Sequence, residues 1–446
     1  MVRLLTTVGA VVLILAGCAQ QPQVTDTVAA ASEPPAEPLS PVAEPAPVPK
    51  PEPPPPPKDL WERMQRQLTF HTMHNPAIGA AREHYLRQSR YMELITPRAR
   101  RYLYFIVEEV EARNLPMDLA LLPIVESALN PFAYSTQSAA GMWQIIPATA
   151  DYLGMRRDWW FDARLDLRES TRYALDYLEA LNADFDGDWL LTLAAYNSGK
   201  ARVRRAIERN RAAGLPTDFW SLELPRETRR YVPRLIALST IIVFAEALEL
   251  KLPPIANEPA FASIDTGGQI EMLRVAELAE LDLLELRRYN PGQLRWATAP
   301  SGNGGLLLPV DRASDVEAQL AGLPPEQRVT WQHYRIRSGD SLIRIARRFD
   351  TSVGMLRSVN NIRGNFIRAG DTLMIPDSEA WRDSLAMASA GSTGVRRAYT
   401  VRRGDSLYTI ARRFRVTIDE LVSWNSLDPQ RYLQPGQALT LYLEGN

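Results

Sequence analysis

Glu126 is the residue around which chemistry could gather. It follows the apolar run Leu121-Leu-Pro-Ile-Val and is followed by Ser127. If this stretch is helical, Leu122 at i−4 and Leu129 at i+3 lie on the same side as the carboxyl group. Apolar surroundings disfavour the charged form and raise the pKa of a glutamate. Such a group keeps its proton near neutral pH and can serve as a general acid. Taken alone, the pattern more often describes a solvated charge at a helix edge, and the surrounding clusters are what favour chemistry. Pro123 sits awkwardly inside such a helix, and a kink or local irregularity is expected there. Three clusters lie further along: Gly141-Met142-Trp143-Gln144, Ala195-Tyr196-Asn197-Ser198-Gly199, and Glu227-Thr-Arg-Arg-Tyr231-Val-Pro. A pair of carboxylates working together is not evident, because no acidic residue occurs between Ser127 and Ala150. Asp151, Asp162 and Asp166 would have to fold back to supply one. His71, His74 and His84 with Glu83 form no His-Glu-x-x-His motif, so neither a metal nor another cofactor is expected.

These groups need elements to hold them. Asp59 to about Leu252 reads as helical almost throughout. Tyr102, Phe105, Ile106 and Val110, and then Tyr173, Leu175, Tyr177, Leu178 and Leu181, recur at helical spacing. At 446 residues the chain exceeds one ordinary core, so two or more domains are expected. Downstream, Tyr334 to Phe349 recurs as Tyr399 to Phe414, each copy carrying Gly-Asp-Ser-Leu and Ile-Ala-Arg-Arg-Phe. Leu356 and Asn360 match Leu421 and Asn425. Each copy reads as a strand, a Gly-Asp turn, two short helices and a closing strand. A weaker third copy, with Val275-Ala276, Leu286, Asn290-Pro291 and Leu307-Leu308-Pro309, lacks the Gly-Asp turn and carries an acidic excess. An unrelated αβ linker domain is the alternative for that segment.

The N-terminus and the overall charge bound the setting. Arg3, the apolar run Leu4 to Ala16, and Leu15-Ala16-Gly17-Cys18 read as a processing signal too short to span a bilayer comfortably. Cys18 is the only cysteine, which excludes an intramolecular disulfide. Glu33 to Lys58 is rich in Pro, Ala, Glu and Val, and at about 3.1 Å per residue it could reach on the order of 75 Å as an extended tether. The net charge of −1 suggests no nucleic-acid partner.

Three resemblances rest on these residues. Leu-Ala-Gly-Cys18 resembles the bacterial lipobox, which implies export and a lipid anchor on Cys18 at the periplasmic side of the envelope. Ala19 after it favours the outer membrane in enteric-type bacteria. The repeats resemble the LysM module, which implies binding to N-acetylglucosamine-containing glycans, with contacts expected near Gly339 to Leu342 and Asn365 to Ala369. In their order, the clusters from Glu126 to Tyr231 resemble the motifs of the goose-type lysozyme-like lytic transglycosylases.

The expected fold is therefore a mainly α, lysozyme-like catalytic domain followed by small α+β (βααβ) LysM modules. The expected boundaries are a signal peptide at 1–18, a linker at 19–58 and a catalytic domain at 59–252. A degenerate module comes next at 258–330, then LysM copies at 334–377 and 398–443 joined by a linker at 378–397. The resemblance implies that Glu126 protonates the oxygen between N-acetylmuramic acid and N-acetylglucosamine in peptidoglycan and then takes the C6 hydroxyl proton, giving a 1,6-anhydro end. It implies that Ser127 sits beside the sugar or orients the loop, and that Met142 and Gln144 line the cleft. Tyr196 and Asn197 would position the glycan, and Tyr231 would hydrogen-bond near the acid. Trp143 stands where the family has a second hydrophobe before Gln. A hydrolytic muramidase, or an inactive peptidoglycan-binding lipoprotein, are the alternatives.

Overall fold

The computed structural model describes residues 57–88, 91–135, 137–300, 305–349, 351–376 and 394–414, together with 421, 425, 427 and 433–444. Cys18, the proline-rich tether and most of the 378–397 linker lie outside the described residues.

Among the described residues, nine α-helices build the N-terminal part: α1 (Leu60–Gln65), α2 (Pro76–Leu86), α3 (Tyr91–Ala112), α4 (Leu122–Ser127), α5 (Pro147–Tyr152), α6 (Leu167–Asp184), α7 (Trp189–Ser198), α8 (Lys200–Ala212) and α9 (Arg226–Val243). Their starts follow from capping chemistry. Asn75, Asp166 and Asp188 each accept backbone N–H groups from the first turns of α2, α6 and α7. Their packing follows from the apolar stripes. On α3, Tyr102, Leu103, Ile106, Val107 and Val110 are all buried at three-to-four spacing. On α6 the same holds for Leu175, Leu178 and Leu181. Helix α9 buries Tyr231, Val232, Leu235, Ile236 and Leu238 and runs against α2, α4 and α7.

The short helix that carries Glu126 departs from the sequence expectation in two ways. A 3₁₀ turn at Met117–Leu121 precedes it, so α4 begins at Leu122 and Pro123 falls in its first turn. There the missing N–H costs nothing, and no kink is needed. The helix ends at Ser127, followed by Ala128 and Leu129 at φ 51° and 58°. Ala128 N–H bonds to Ile124 O at 3.0 Å and Leu129 N–H to Pro123 O at 3.0 Å, the pairing of a left-handed helix stop. Leu129 is buried through this turn and not through helical i+3 spacing.

Three two-stranded antiparallel sheets come next among the described residues: β1 (Phe261–Ile264) with β2 (Leu306–Pro309), β3 (Trp331–Arg335) with β4 (Thr372–Pro376), and β5 (Gly394–Thr400) with β6 (Ala438–Glu444). Between β1 and β2 lie α10 (Met272–Leu278) and α11 (Leu283–Tyr289), and α12 (Val310–Ala321) packs back on both strands. Between β3 and β4 lie α13 (Leu342–Arg348) and α14 (Val353–Val359). Between β5 and β6 the helix Leu407–Phe414 is described; the second short helix expected for this copy lies largely outside the described residues. In the two clear copies the Gly-Asp turn is a clasp. Asp340 accepts from Tyr334 Oη at 2.7 Å and Arg337 N–H at 2.8 Å, and Asp405 accepts from Tyr399 Oη at 2.5 Å and Arg402 N–H at 2.7 Å.

Candidate active site

Glu126 closes α4 and meets α9. Tyr231 Oη donates to Glu126 Oε1 at 2.5 Å. Although part of Glu126 remains accessible, protein crowds its carboxyl group, and this desolvation raises its pKa to about 7. The Tyr231 hydrogen bond opposes the rise, and the nearby Glu227 carboxylate adds to it. The tyrosine hydroxyls around the acid stay neutral: burial first, and the Glu126 charge second, push Tyr231 and Tyr196 well above the ordinary phenol range.

The turn Gly141–Gln144 forms the next wall. Gly141 takes φ 77°, and a Cβ there would meet Arg164 O at 2.0 Å, so only glycine fits. Two bonds hold this turn, one from the residue after the acid and one from α7. Ser127 Oγ donates to Met142 O at 3.0 Å, and Tyr196 Oη, on α7, donates to Trp143 O at 2.8 Å. Ser127 Oγ thus bonds the backbone of this turn and, at 3.1 Å, Pro123 O of its own helix. Gln144, at φ 49°, donates through Nε2 to Gly141 O at 2.8 Å and Ala133 O at 3.3 Å and is half-buried. Met142 corrects an expectation. Its side chain does not line a cleft but is fully buried in the core beside Trp143, whose Nε1 donates to Thr171 Oγ1 at 3.0 Å. The turn at Gly141 sends both side chains inward and leaves their carbonyls toward Ser127 and Tyr196.

Asn197 comes after Tyr196 at the end of α7. Thr228 Oγ1, from the buried face of α9, donates to Asn197 Oδ1 at 2.8 Å, which leaves Nδ2 as the donor group of the amide. The structure thus joins Glu126 and Tyr231 directly, ties Ser127 and Tyr196 to the Gly141–Gln144 turn through Met142 O and Trp143 O, and sets Asn197 next to Tyr196.

The three aspartates weighed as second carboxylates are engaged elsewhere. Asp151 pairs with Arg157, Asp162 with Arg164 at 2.7 Å, and Asp166 caps α6. The carboxylate whose charge reaches Glu126 is the exposed Glu227, four residues before Tyr231. It belongs to the same cluster as Tyr231, and one helical turn of spacing from that tyrosine was the signal that could have singled it out. Two other supports carried no mark in the sequence. Tyr91 Oη donates to Ile124 O at 3.3 Å, and Arg98 Nη1 to Ala128 O at 3.1 Å, so α3 braces both ends of the acid-bearing turn. His71 meets Phe244 edge-on at 5.7 Å, and the exposed His84 is hydrogen-bonded to Gln88.

Comparison with known proteins agrees with this layout. Residues 104–216 match the Transglycosylase SLT domain, 334–376 and 399–441 match the LysM domain, and 260–324 match the Lytic transglycosylase MltD, LysM-like domain. The class is thus a transglycosylase-type domain followed by one LysM-like and two LysM modules. The chain is 40% identical over 403 residues to membrane-bound lytic murein transglycosylase D of Escherichia coli strain K12, covering 87% of this chain and 86% of that protein. The chain belongs to the lytic murein transglycosylase D family. It is also 34% identical over 128 residues to N-acetylmuramoyl-L-alanine amidase sle1 of Staphylococcus saprophyticus, 27% of this chain and 37% of that one. Among solved structures, the 70 kDa soluble lytic transglycosylase of Escherichia coli is 24% identical, with 30% of this chain and 22% of that chain aligned at a TM-score of 0.24.

Proposed function

We propose that this protein is a lytic transglycosylase that cleaves the β-1,4 bond between N-acetylmuramic acid and N-acetylglucosamine in peptidoglycan, with Glu126 as its single acid and base. The observation that carries the reading is the Glu126 carboxyl, desolvated, hydrogen-bonded to Tyr231 and raised to about 7. At that value an appreciable fraction is protonated at neutral pH, as donation to a glycosidic oxygen requires. The proton passes from Glu126 to the bridging oxygen as the bond from that oxygen to muramoyl C1 breaks. The carboxylate left behind takes the proton of the muramoyl C6 hydroxyl, and O6 bonds to C1. Water is neither consumed nor released, and Glu126 returns to its starting state. Tyr231 stabilises the carboxylate in mid-reaction by the bond it already makes. Gln144, Tyr196 and Asn197 hold the glycan, and Ser127 keeps the neighbouring turn in place.

The two LysM copies retain the polymer, with exposed Ile343, Phe366 and Tyr408 among the groups available to sugar faces. Lipidation of Cys18 and the proline-rich tether would fix the enzyme to an envelope membrane, the outer one by the Ala19 criterion, and let it reach the wall. The name of the Escherichia coli relative, which calls that protein membrane-bound, supports this placement.

The test is digestion of purified peptidoglycan by protein lacking residues 1–18, beside Glu126→Gln, with mass spectrometry of the released muropeptides. Products lighter by one water than hydrolysis products, absent with the variant, are expected. Full-mass reducing ends would overturn the reading in favour of a hydrolase, with Glu227 as the second carboxylate to test. Binding without any product would make the protein a wall-binding scaffold.

A further inference from the structure

The module between β1 and β2 is built into the helical domain. Its Tyr289 and Leu307 belong to that domain's core. Tyr102 Oη donates to Arg288 O at 2.7 Å, Arg101 pairs with Glu285 at 2.5 Å, and Trp160 packs against Trp296 at 6.2 Å between ring centres. Leu294 N–H bonds to Trp160 O at 2.8 Å, and Asp162 N–H to Gly292 O at 3.0 Å. A Cβ on Gly292 would meet the Phe161 ring at 2.8 Å, Asp166 Cβ at 3.0 Å and Asp162 O at 3.2 Å. A side chain at that position would have to push the Phe161 ring and Asp166 aside.

From Gly292 the contacts lead to the active-site turn. Asp162 Oδ1 accepts from Arg164 N–H and Nε, both at 3.0 Å, and Oδ2 accepts from Nη2 at 2.7 Å. The Arg164 side chain is completely buried, and its Nη1 donates to Ser138 O at 2.9 Å and Ile145 O at 3.4 Å. These two carbonyls bracket the turn, and Gly141 lies directly on Arg164 O. A second brace comes from α11, where the Arg287 guanidinium lies 5.7 Å from the centre of the Phe132 ring. The next residue, Ala133, accepts through its carbonyl from Gly141 N–H at 2.9 Å and from Gln144 Nε2. A buried ion pair stabilises little by itself, but it fixes geometry, and breaking one partner is costly. Four of the nine non-glycine residues with positive φ among the described residues, Ala128, Leu129, Ser138 and Gln144, fall in this region. Left-handed residues persist only where surrounding structure holds them.

We propose that the module at 260–324 serves as a fixed wall of the catalytic domain in place of a polymer-binding unit. Asp162 and Arg164 are then positioning residues that carry its packing from Gly292 to the Gly141–Gln144 turn. The proposal rests on the reading of Glu126 as acid and base. Through Met142 O and Trp143 O the turn reaches Ser127 and Tyr196, and so keeps the surroundings of the carboxyl dry. The titratable groups facing Glu126 are Tyr231 and Glu227 from α9 and Tyr196 from α7, and none of them belongs to the module.

The test is Gly292→Val in the full chain, compared with wild type by hydrogen exchange, kinetics and sedimentation with insoluble peptidoglycan. Exchange in residues 138–145 should quicken while α8 stays protected. The turnover number should fall about tenfold with KM changed less than about twofold, because a small misplacement of the turn acts on the reacting geometry. The kinetic pKa assigned to Glu126 should move down from about 7, since water then reaches the carboxyl. Sedimentation with peptidoglycan should be as in wild type. Unchanged exchange and pKa, or a loss confined to sedimentation, would overturn the proposal. If the valine variant does not fold, Gly292→Ala places a smaller wedge, and Arg164→Lys keeps the charge while losing the bridge to two carbonyls. Exchange is measured without substrate and so reads the relay even if Glu126 is not the acid. Anhydro products from wild type test that reading separately.

Discussion

In the module at Phe261–Pro309, Asn290 Nδ2 donates to Leu286 O at 3.0 Å and Leu307 O at 2.7 Å, and its Oδ1 accepts from Leu307 N–H at 2.8 Å. In the module at Trp331–Pro376, Asn360 makes the same three bonds, to Leu356 O at 2.9 Å, Met374 O at 2.8 Å and from Met374 N–H at 2.7 Å. Beyond this shared clamp the two modules part. Residues 290–299 are buried except for half-buried Leu294, whereas 361–371 are exposed except for Ile362 and Ile367. The clamp and the apolar helix faces specify the small fold in both. The segment after the asparagine decides whether that fold turns toward solvent or toward the enzyme. Loss of the Gly-Asp turn in the first module accompanies this change. Its place is taken by Thr266-Gly267-Gly268, where Asp265 Oδ1 merely accepts from Gly267 N–H.

If one module serves cleavage and the others serve holding, ending the cleavage must leave the holding intact. Glu126→Gln should lower product formation by about 10²–10⁴-fold, the usual worth of a positioned acid and base. The same protein should still sediment with insoluble peptidoglycan, and loss of both together would erase the distinction between the regions. The clamp itself offers the next comparison. Asn290→Ala leaves the buried Leu307 N–H and C=O unpaired, at a cost of about 1–3 kcal/mol. Because Leu307 belongs to the core of the helical domain, the main melting transition should fall. Asn360→Ala should leave that transition in place and loosen only its own module. Calorimetry showing equal shifts would mean that the two modules are equally independent.

How far this could be read from sequence depends on distance along the chain. The repeats were legible because strand, turn, cap and helix face are local devices, and Asp340 and Asp405 clasp tyrosines six residues away. Glu126 and Tyr231 were singled out by residue type and order, and the structure brings them to 2.5 Å although 105 positions separate them. The Gly292–Asp162–Arg164 relay was not legible. An aspartate two residues from an arginine looks like any solvated pair, and only the packing of residue 292 against residues 161–166 makes it a buried one. Met142 misled for the converse reason. Its place in a motif suggested a sugar contact, while the left-handed Gly141 turned its side chain into the core. Pro123 and Leu129 were placed by helical spacing that α4, only six residues long, does not sustain.

Enclosure of the acid should also carry a cost in stability, absent from the exposed modules. The pKa of Glu126 is about 7 in the folded protein against an ordinary value of 4.5, so the folded state holds a proton that the unfolded chain has released. The stabilisation linked to that proton is full below about 4.5 and is lost as pH rises through about 7. Glutamine cannot ionise. Glu126→Gln should therefore be more stable than wild type at pH 8 by on the order of 1–2 kcal/mol, discounted for the partial exposure of the residue. The gap should close as the pH is lowered toward 4.5. Melting curves across that range check it, and a gap independent of pH would show that the carboxyl is not desolvated.

The smallest effects belong to the exposed side of the comparison. Phe366 is 77% exposed and Tyr408 53%, so neither contributes much to its own module's core. Replacing either with alanine should change stability by less than about 0.5 kcal/mol. An aromatic ring that stacks on a sugar contributes about 1 kcal/mol, so each variant should bind peptidoglycan roughly fivefold more weakly. Cleavage of short soluble strands, which do not need the outer modules to be retained, should hold steady in both variants. A fall in that rate equal to the fall in binding would place the exposed loops at the reacting site and undo the division of labour drawn from residues 290–299 and 361–371.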